Sequence, residues 1–183
     1  MKPVSAPQLV DDFRTSRLSI LHWSWATGSG ETRHQLAENL ATILTPIVLK
    51  HLPPSFQVNQ TTEDVLKWIG ERSDESDVYL ICDEQSNTLI GLMFLVNGSE
   101  PEAEVKVHIG YLLSEAAWGQ GYASELIKGL LLEAQKKVPM TLIGGVAKGN
   151  GASAHILRKH GFLLDQNLSN DDTEVFVATL AQR

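Results

Sequence analysis

The stretch Trp118-Gly119-Gln120-Gly121-Tyr122-Ala123-Ser124-Glu125 carries residue types suited to holding a phosphorylated ligand. Two glycines spaced by one residue permit positive φ and close approach of a ligand to the backbone. An alternating apolar run enters the stretch (Val105, Val107, Ile109, Tyr111, Leu113), and a run at helical spacing leaves it (Leu126, Ile127, Leu130, Leu131, Ala134). The order is therefore strand, glycine turn, helix start. Free N–H groups in a first helical turn, with the positive end of the helix dipole behind them, bind phosphate or pyrophosphate. A short glycine motif also arises as a plain tight connection, and both readings stand at this point.

Groups able to move protons are fewer. Glu104, Lys106 and His108 share one face of the incoming strand by period-two alternation. His108 is of the residue type suited to a general base; its other reading is a rim or core histidine bonded to backbone. Glu104 sits near the strand start and reads as a surface carboxylate. Asn150-Gly151-Ala152-Ser153 opens a short helix, where Asn150 serves as cap and Ser153 supports the first turn, with or without a ligand above them. Cys82 lies in an apolar strand and reads as a small core hydrophobe. The 6 histidines show no metal-ligand spacing, so no metal is expected.

Composition bounds the partners. The chain has 183 residues, enough for one domain with a sizeable core, and is 43% hydrophobic. Its formal charge of −7 argues against nucleic acid, whose phosphates call for clustered Lys and Arg, and would suit an amine-bearing substrate. No apolar run reaches the length of a membrane span, and the N-terminus lacks a secretory core. The single Cys82 excludes an internal disulfide. A cytoplasmic location is the expectation.

The elements that must position these residues follow from periodicity. Residues 1–12 read as a frayed polar lead and 13–21 as one strand. A loop with Trp23 and Trp25 follows, then a helix over 31–44, which Pro46 should kink or end. His51-Leu52-Pro53-Pro54-Ser55 is a break. Thr61 and Asp64, at capping-box-like spacing, start a second helix with Val65, Leu66, Trp68 and Ile69 as its apolar face. Strands over 78–82, 89–96 and 103–113 are joined too briefly for crossovers and should form an antiparallel meander. The run over 89–96 is nearly all apolar, as in a central strand covered on both faces. A helix runs from the glycine turn to about residue 137, and a strand over 140–147 should pair in parallel with the one before that helix. A short helix ends at His160-Gly161, with Gly161 as C-terminal cap, before strands over 162–165 and 173–180.

Two segments resemble the GCN5-related N-acetyltransferase (GNAT) superfamily. Its acyl-CoA loop, Gln/Arg-x-x-Gly-x-Gly/Ala, is matched here at Gly121 and Ala123, while Trp118 departs from the Gln/Arg start. That departure is similar to the ribosomal-protein N-terminal acetyltransferases of RimJ/RimL type, with Ile-Gly-Tyr, a spacer and Trp-Gly-x-Gly-Tyr-Ala-x-Glu. This chain has Ile109-Gly110-Tyr111 and then Trp118 through Glu125. Asn150 through Phe162 resembles the same branch's Asn-x-x-Ser, short helix and Lys-x-Gly-Phe. Thr15-Ser16-Arg17-Leu18 echoes its Thr-x-Arg-Leu opening.

The resemblance implies a single α/β (α+β) GNAT-like domain over 1–183, with a mixed, mostly antiparallel sheet of about seven strands, helices on both faces and a splay between strands four and five. It implies acetyl-CoA as cosubstrate and an amine acceptor, on a protein N-terminus or a small molecule, attacked in a ternary complex. It places Leu113, Trp118, Gly119, Gln120, Gly121, Tyr122, Ala123, Ser124, Asn150 and Ser153 at the cofactor, with Ser153 near the sulfur and His108 as candidate base. Many members carry a tyrosine general acid four residues after the Ser153 position; here that residue is Leu157. A non-catalytic acyl-CoA-binding module on the same fold therefore remains an alternative. Trp23, Trp25 and the two early helices would form the acceptor wall, and the analogy allows monomers and homodimers.

Overall fold

In the computed structural model the described residues are 8–98 and 104–181. They form one sheet of eight strands in the order β1-β2-β3-β4-β5-β6-β8-β7. The strands are β1 (Phe13–Arg14), β2 (Leu18–His22), β3 (Asp77–Asp83), β4 (Leu89–Asn97), β5 (Val105–Leu113), β6 (Met140–Ala147), β7 (Leu163–Asp165) and β8 (Thr173–Leu180). The helices are α1 (Ser24–Thr27), α2 (Gly30–Ile43), α3 (Pro46–Leu49), α4 (Thr62–Glu75), α5 (Tyr122–Ala134) and α6 (Gly151–Lys159). Every strand pair is antiparallel except β5 with β6, which α5 connects as a crossover.

The two faces of the sheet carry separate cores. Helices α5 and α6 cover one, where Leu126, Ile127, Leu130 and Leu157 meet Met93, Val107, Ile109 and Leu142. Helices α1 to α4 cover the other, where Leu40, Val48, Leu49, Trp68 and Ile69 meet Val78, Leu92, Phe94 and Leu112. Strand β4 feeds both cores, which explains why its sequence is continuously apolar. Among the described residues no helix is long and apolar enough to cross a membrane.

Two sequence expectations are corrected near the N-terminus. Residues 13–21 are not one strand: the chain reverses at Thr15-Ser16-Arg17, where Thr15 N–H donates to the Leu18 carbonyl at 2.9 Å, so β1 and β2 form a hairpin. This split raises the expected seven strands to eight. The expected frayed lead over 1–12 divides as well. Residues 1–7 lie outside the described residues, whereas Val10 is buried and its carbonyl accepts from the Tyr79 hydroxyl at 2.6 Å. An apolar side chain and a buried phenol needing an acceptor hold this segment down.

Pro46 does end the helix before it, and it also begins the next. Its fixed φ suits a first helical position, and the Thr45 hydroxyl caps α3 by accepting from Val48 N–H at 3.3 Å. Thr61 caps α4 in the same way, accepting from Asp64 N–H at 3.1 Å. The tryptophan loop contains α1, with Trp23 buried in the second core and Trp25 61% exposed.

Candidate active site

The glycine turn is built as its sequence requires. Gly119 has φ +71° and Gly121 has φ +81°, a region that side-chain-bearing residues rarely adopt. Gly121 is the N-cap of α5, no side chain caps it, and the first helical bond runs from Glu125 N–H to the Gly121 carbonyl at 3.1 Å. The N–H groups of Tyr122, Ala123 and Ser124 therefore have no acceptor inside the helix.

The hairpin turn fastens this helix start to the sheet. Glu125 Oε1 accepts from Thr15 Oγ1 at 2.6 Å, Ser16 Oγ at 3.0 Å and Arg17 N–H at 2.8 Å. Arg17 Nε reaches Glu125 Oε2 at 2.7 Å, and Arg17 Nη1 donates to the Gln120 carbonyl at 3.0 Å. The guanidinium also lies 4.5 Å over the Tyr122 ring. Burial raises the Glu125 carboxyl, but the donors from Thr15, Arg17 and Ser16 outweigh it and hold the group at about 2. Gly129, one turn further along α5, lets β1 approach: a Cβ there would sit 2.8 Å from Phe13 and from Thr15. On the other side, the Tyr122 hydroxyl donates to Asp83 Oδ2 at 2.9 Å, adding to the Ser86 backbone and side-chain bonds that lower the Asp83 pKa.

Strands β5 and β6 part beside this turn. Their parallel ladder runs from Val105↔Met140 to Ile109↔Gly144 and stops, while β5 continues to Leu113 and β6 to Ala147. A cavity of about 690 Å³ opens there, lined by the end of β5, the glycine turn, the start of α6, and α3 with the residues after it. Its floor holds a bonded pair: the Tyr111 hydroxyl donates to Ser153 Oγ at 3.2 Å. Burial raises the Tyr111 pKa, opposed by that bond, so the phenol stays protonated at neutral pH. Asn150 Oδ1 accepts from Ser153 N–H at 3.2 Å and caps α6. Ser124 Oγ and His160 Nε2 lie 2.7 Å apart, joining α5 to the end of α6. Burial, then Lys159 and Lys128, lower the His160 pKa and keep the imidazole neutral.

Most of the residues singled out from sequence meet in this cavity. Leu113, Trp118, Gly119, Gly121, Tyr122 and Ala123 line it from β5 and the turn, and Ser124, Asn150 and Ser153 from the two helix starts. Gln120 does not line it: its amide turns back to the Ala116 carbonyl at 2.6 Å. Neither does His108, an exposed residue on β5 whose ring lies against Gly98, where a Cβ would meet it at 2.7 Å. His108 lies in the stretch of β5 that still pairs with β6, and the cavity opens beyond that stretch. Glu104 accepts from Thr141 Oγ1 at 2.8 Å, and Leu157 is buried in the first core. Trp118 is 47% exposed and donates its indole N–H to the Leu113 carbonyl at 2.9 Å. Burial raises the Cys82 thiol pKa, in keeping with a structural cysteine.

Sequence reasoning missed four contributors. Lys50 and His51, after α3, line the cavity, although His51 read only as the start of a break and Lys50 drew no reading. Tyr111 was read as part of a motif and not as the partner of Ser153. Arg17 was noted for its type, while its partner Glu125 is 108 positions away in sequence. No local signal links such pairs.

Residues 32–163 match the family described as Acetyltransferase (GNAT) domain. No curated protein matches significantly. Among solved structures, the chain is similar to an acetyltransferase of the GNAT family from Bacillus anthracis, with TM-score 0.69 and 15% identity over 92% of this chain and 98% of that one. It is similar to RimL, a ribosomal alpha-N-protein acetyltransferase solved with coenzyme A, with TM-score 0.69 and 18% identity over 92% and 97%. It is also similar to spermidine N-acetyltransferase from Vibrio cholerae, solved with CoA and spermine, with TM-score 0.66 and 14% identity over 90% and 96%.

Proposed function

The chain belongs to the GNAT acetyltransferase domain family, and we propose that it transfers the acetyl group of acetyl-CoA to a primary amine, on a protein N-terminus or a small molecule. One observation carries this reading. The uncapped glycine turn, the parting of β5 and β6 and the Tyr111–Ser153 pair all open onto one cavity. An acyl-CoA needs those three features at once: a pyrophosphate seat, a backbone-edged slot and a polar group at the thioester.

The turn's N–H groups supply the pyrophosphate seat without a basic side chain. The β5 backbone beyond Ile109 faces no ladder partner on the β6 side and offers N–H and C=O groups to an extended arm. A β5 N–H there would also stabilise the oxyanion of a tetrahedral intermediate. The amine attacks the carbonyl carbon, the C–S bond breaks, and the proton lost from nitrogen ends on sulfur. Ser153 stands as proton donor to the thiolate, Tyr111 passes its own proton on to Ser153, and the proton released by the amine returns to Tyr111. This arrangement occupies the role that Leu157 cannot fill. Orientation within the cavity supplies much of the remaining rate.

Calorimetric titration with acetyl-CoA tests the reading, with Gly121→Glu as control. The substitution brings a carboxylate and a side chain to a backbone at φ +81°, and should weaken binding more than tenfold. Absence of binding by the unsubstituted protein overturns the proposal. Release of CoA thiol with an amine panel separates transfer from binding alone.

A further inference from the structure

We propose that the acceptor is an amine that also bears a carboxylate, and that Lys50 selects it; the proposal rests on the acetyl-transfer reading above. The chain has 22 acidic residues and a net charge of −7, which taken alone would favour a cationic substrate. The cavity reverses that balance. Among the described residues lining it there is no Asp or Glu, and the ionisable nitrogens are those of Lys50, His51 and His155.

Three carboxylates on elements that border it do not line it and are bonded elsewhere. Glu115 accepts from the Thr45 hydroxyl at 2.9 Å, Asp83 from Tyr122 and Ser86, and Glu125 from the hairpin turn. Lys50 is exposed and has no ion pair or hydrogen bond among the described residues. A diamine or polyamine entering this space would bring a second ammonium group with no carboxylate to meet it, beside a lysine of like charge. A carboxylate on the acceptor would meet the Lys50 ammonium in a partly enclosed cleft, where field lines are focused.

Position separates this role from cofactor binding. Helix α3 packs with Val48 and Leu49 in the core of one sheet face, whereas α5 and α6 pack on the other. Lys50 and His51 therefore approach the cavity from the face opposite the glycine-turn helix. His155 lies on α6 and is left to the cofactor side.

The test is CoA-thiol release by the full chain with matched acceptors: an amino acid against its amide, an acidic N-terminal peptide against its neutral counterpart, and spermidine. Acetyl-CoA and dephospho-CoA are titrated in parallel. We expect kcat/KM about tenfold higher for the carboxylate-bearing member of a pair, and the amino-acid and peptide arms identify which source is used. Lys50→Glu should abolish that ratio through the acceptor KM, with acetyl-CoA affinity unchanged within about twofold, while Lys50→Arg preserves it. Preference for spermidine, an unchanged ratio in Lys50→Glu, or acetyl-CoA binding without turnover of any carboxylate-bearing amine overturns this proposal and leaves the cosubstrate site standing. A Lys50→Glu effect on CoA that disappears with dephospho-CoA assigns Lys50 to the cofactor and overturns it too. No acetyl-CoA binding at all overturns the underlying reading with it.

Discussion

The Tyr111 hydroxyl donates to Ser153 Oγ across 3.2 Å, joining the end of β5 to the start of α6 at the floor of the cavity. Tyr111→Phe keeps the ring and removes the donor. We expect kcat to fall about ten- to a hundredfold, within the range of general acid–base contributions. Acetyl-CoA affinity should stay within about twofold. Ser153→Ala should have a similar effect, and the double variant should be no worse than the poorer single one, since both act on one proton. Steady-state kinetics with parallel calorimetry reads both quantities; additive losses would separate the two residues.

The Glu125 carboxyl is held at about 2 against an ordinary value near 4.5. A depressed acid stabilises the fold above its unfolded pKa, and that contribution is lost as pH falls through the folded value. Wild type should therefore exceed Glu125→Gln in stability at pH 7, by about 1–3 kcal/mol for charge-assisted bonds. The gap should close between pH 4.5 and about 2. Urea unfolding across that window checks the sign.

Ser124 and His160 bridge α5 and α6 at 2.7 Å beside the glycine turn. His160→Ala leaves the Ser124 hydroxyl without its partner at the lip of the cavity. Acetyl-CoA affinity should drop about three- to tenfold, with kcat on saturating cosubstrate little changed. Ser124→Ala should cost a similar factor, and a double-mutant cycle by calorimetry reads the coupling.

Gly129 is where β1 touches α5. A Cβ would lie 2.8 Å from both Phe13 and Thr15. Gly129→Val should destabilise by about 1–3 kcal/mol, as overpacked sites do. Displacing Thr15 also disturbs the turn that holds Glu125, so the loss of acetyl-CoA affinity should accompany the loss in thermal midpoint.

Much of this architecture was legible from local pattern. The meander, the crossover through α5, the Thr61 and Asn150 caps and the Gly161 helix end follow from period and turn chemistry, which act over a few residues. So does the glycine turn, because positive φ at two positions leaves few residue choices.

Tertiary structure decided what distance along the chain conceals. Thr15-Ser16-Arg17 became a hairpin turn because Glu125, over a hundred positions away, gathers its donors; residue 13–21 periodicity alone reads as one strand. His108 and Tyr111 are three positions apart on β5 and so lie on opposite faces; Tyr111 also sits beyond Ile109, where β5 and β6 part, and it alone of the two lines the cavity. Alternation sorts residues between the two faces of a strand but does not say which face, or which end, borders a ligand. The composition of the whole chain is acidic and the lining of its cavity is not, since folding chooses which charges face inward. Sequence determined most of the elements and the glycine turn; packing determined which side chains share the space above it.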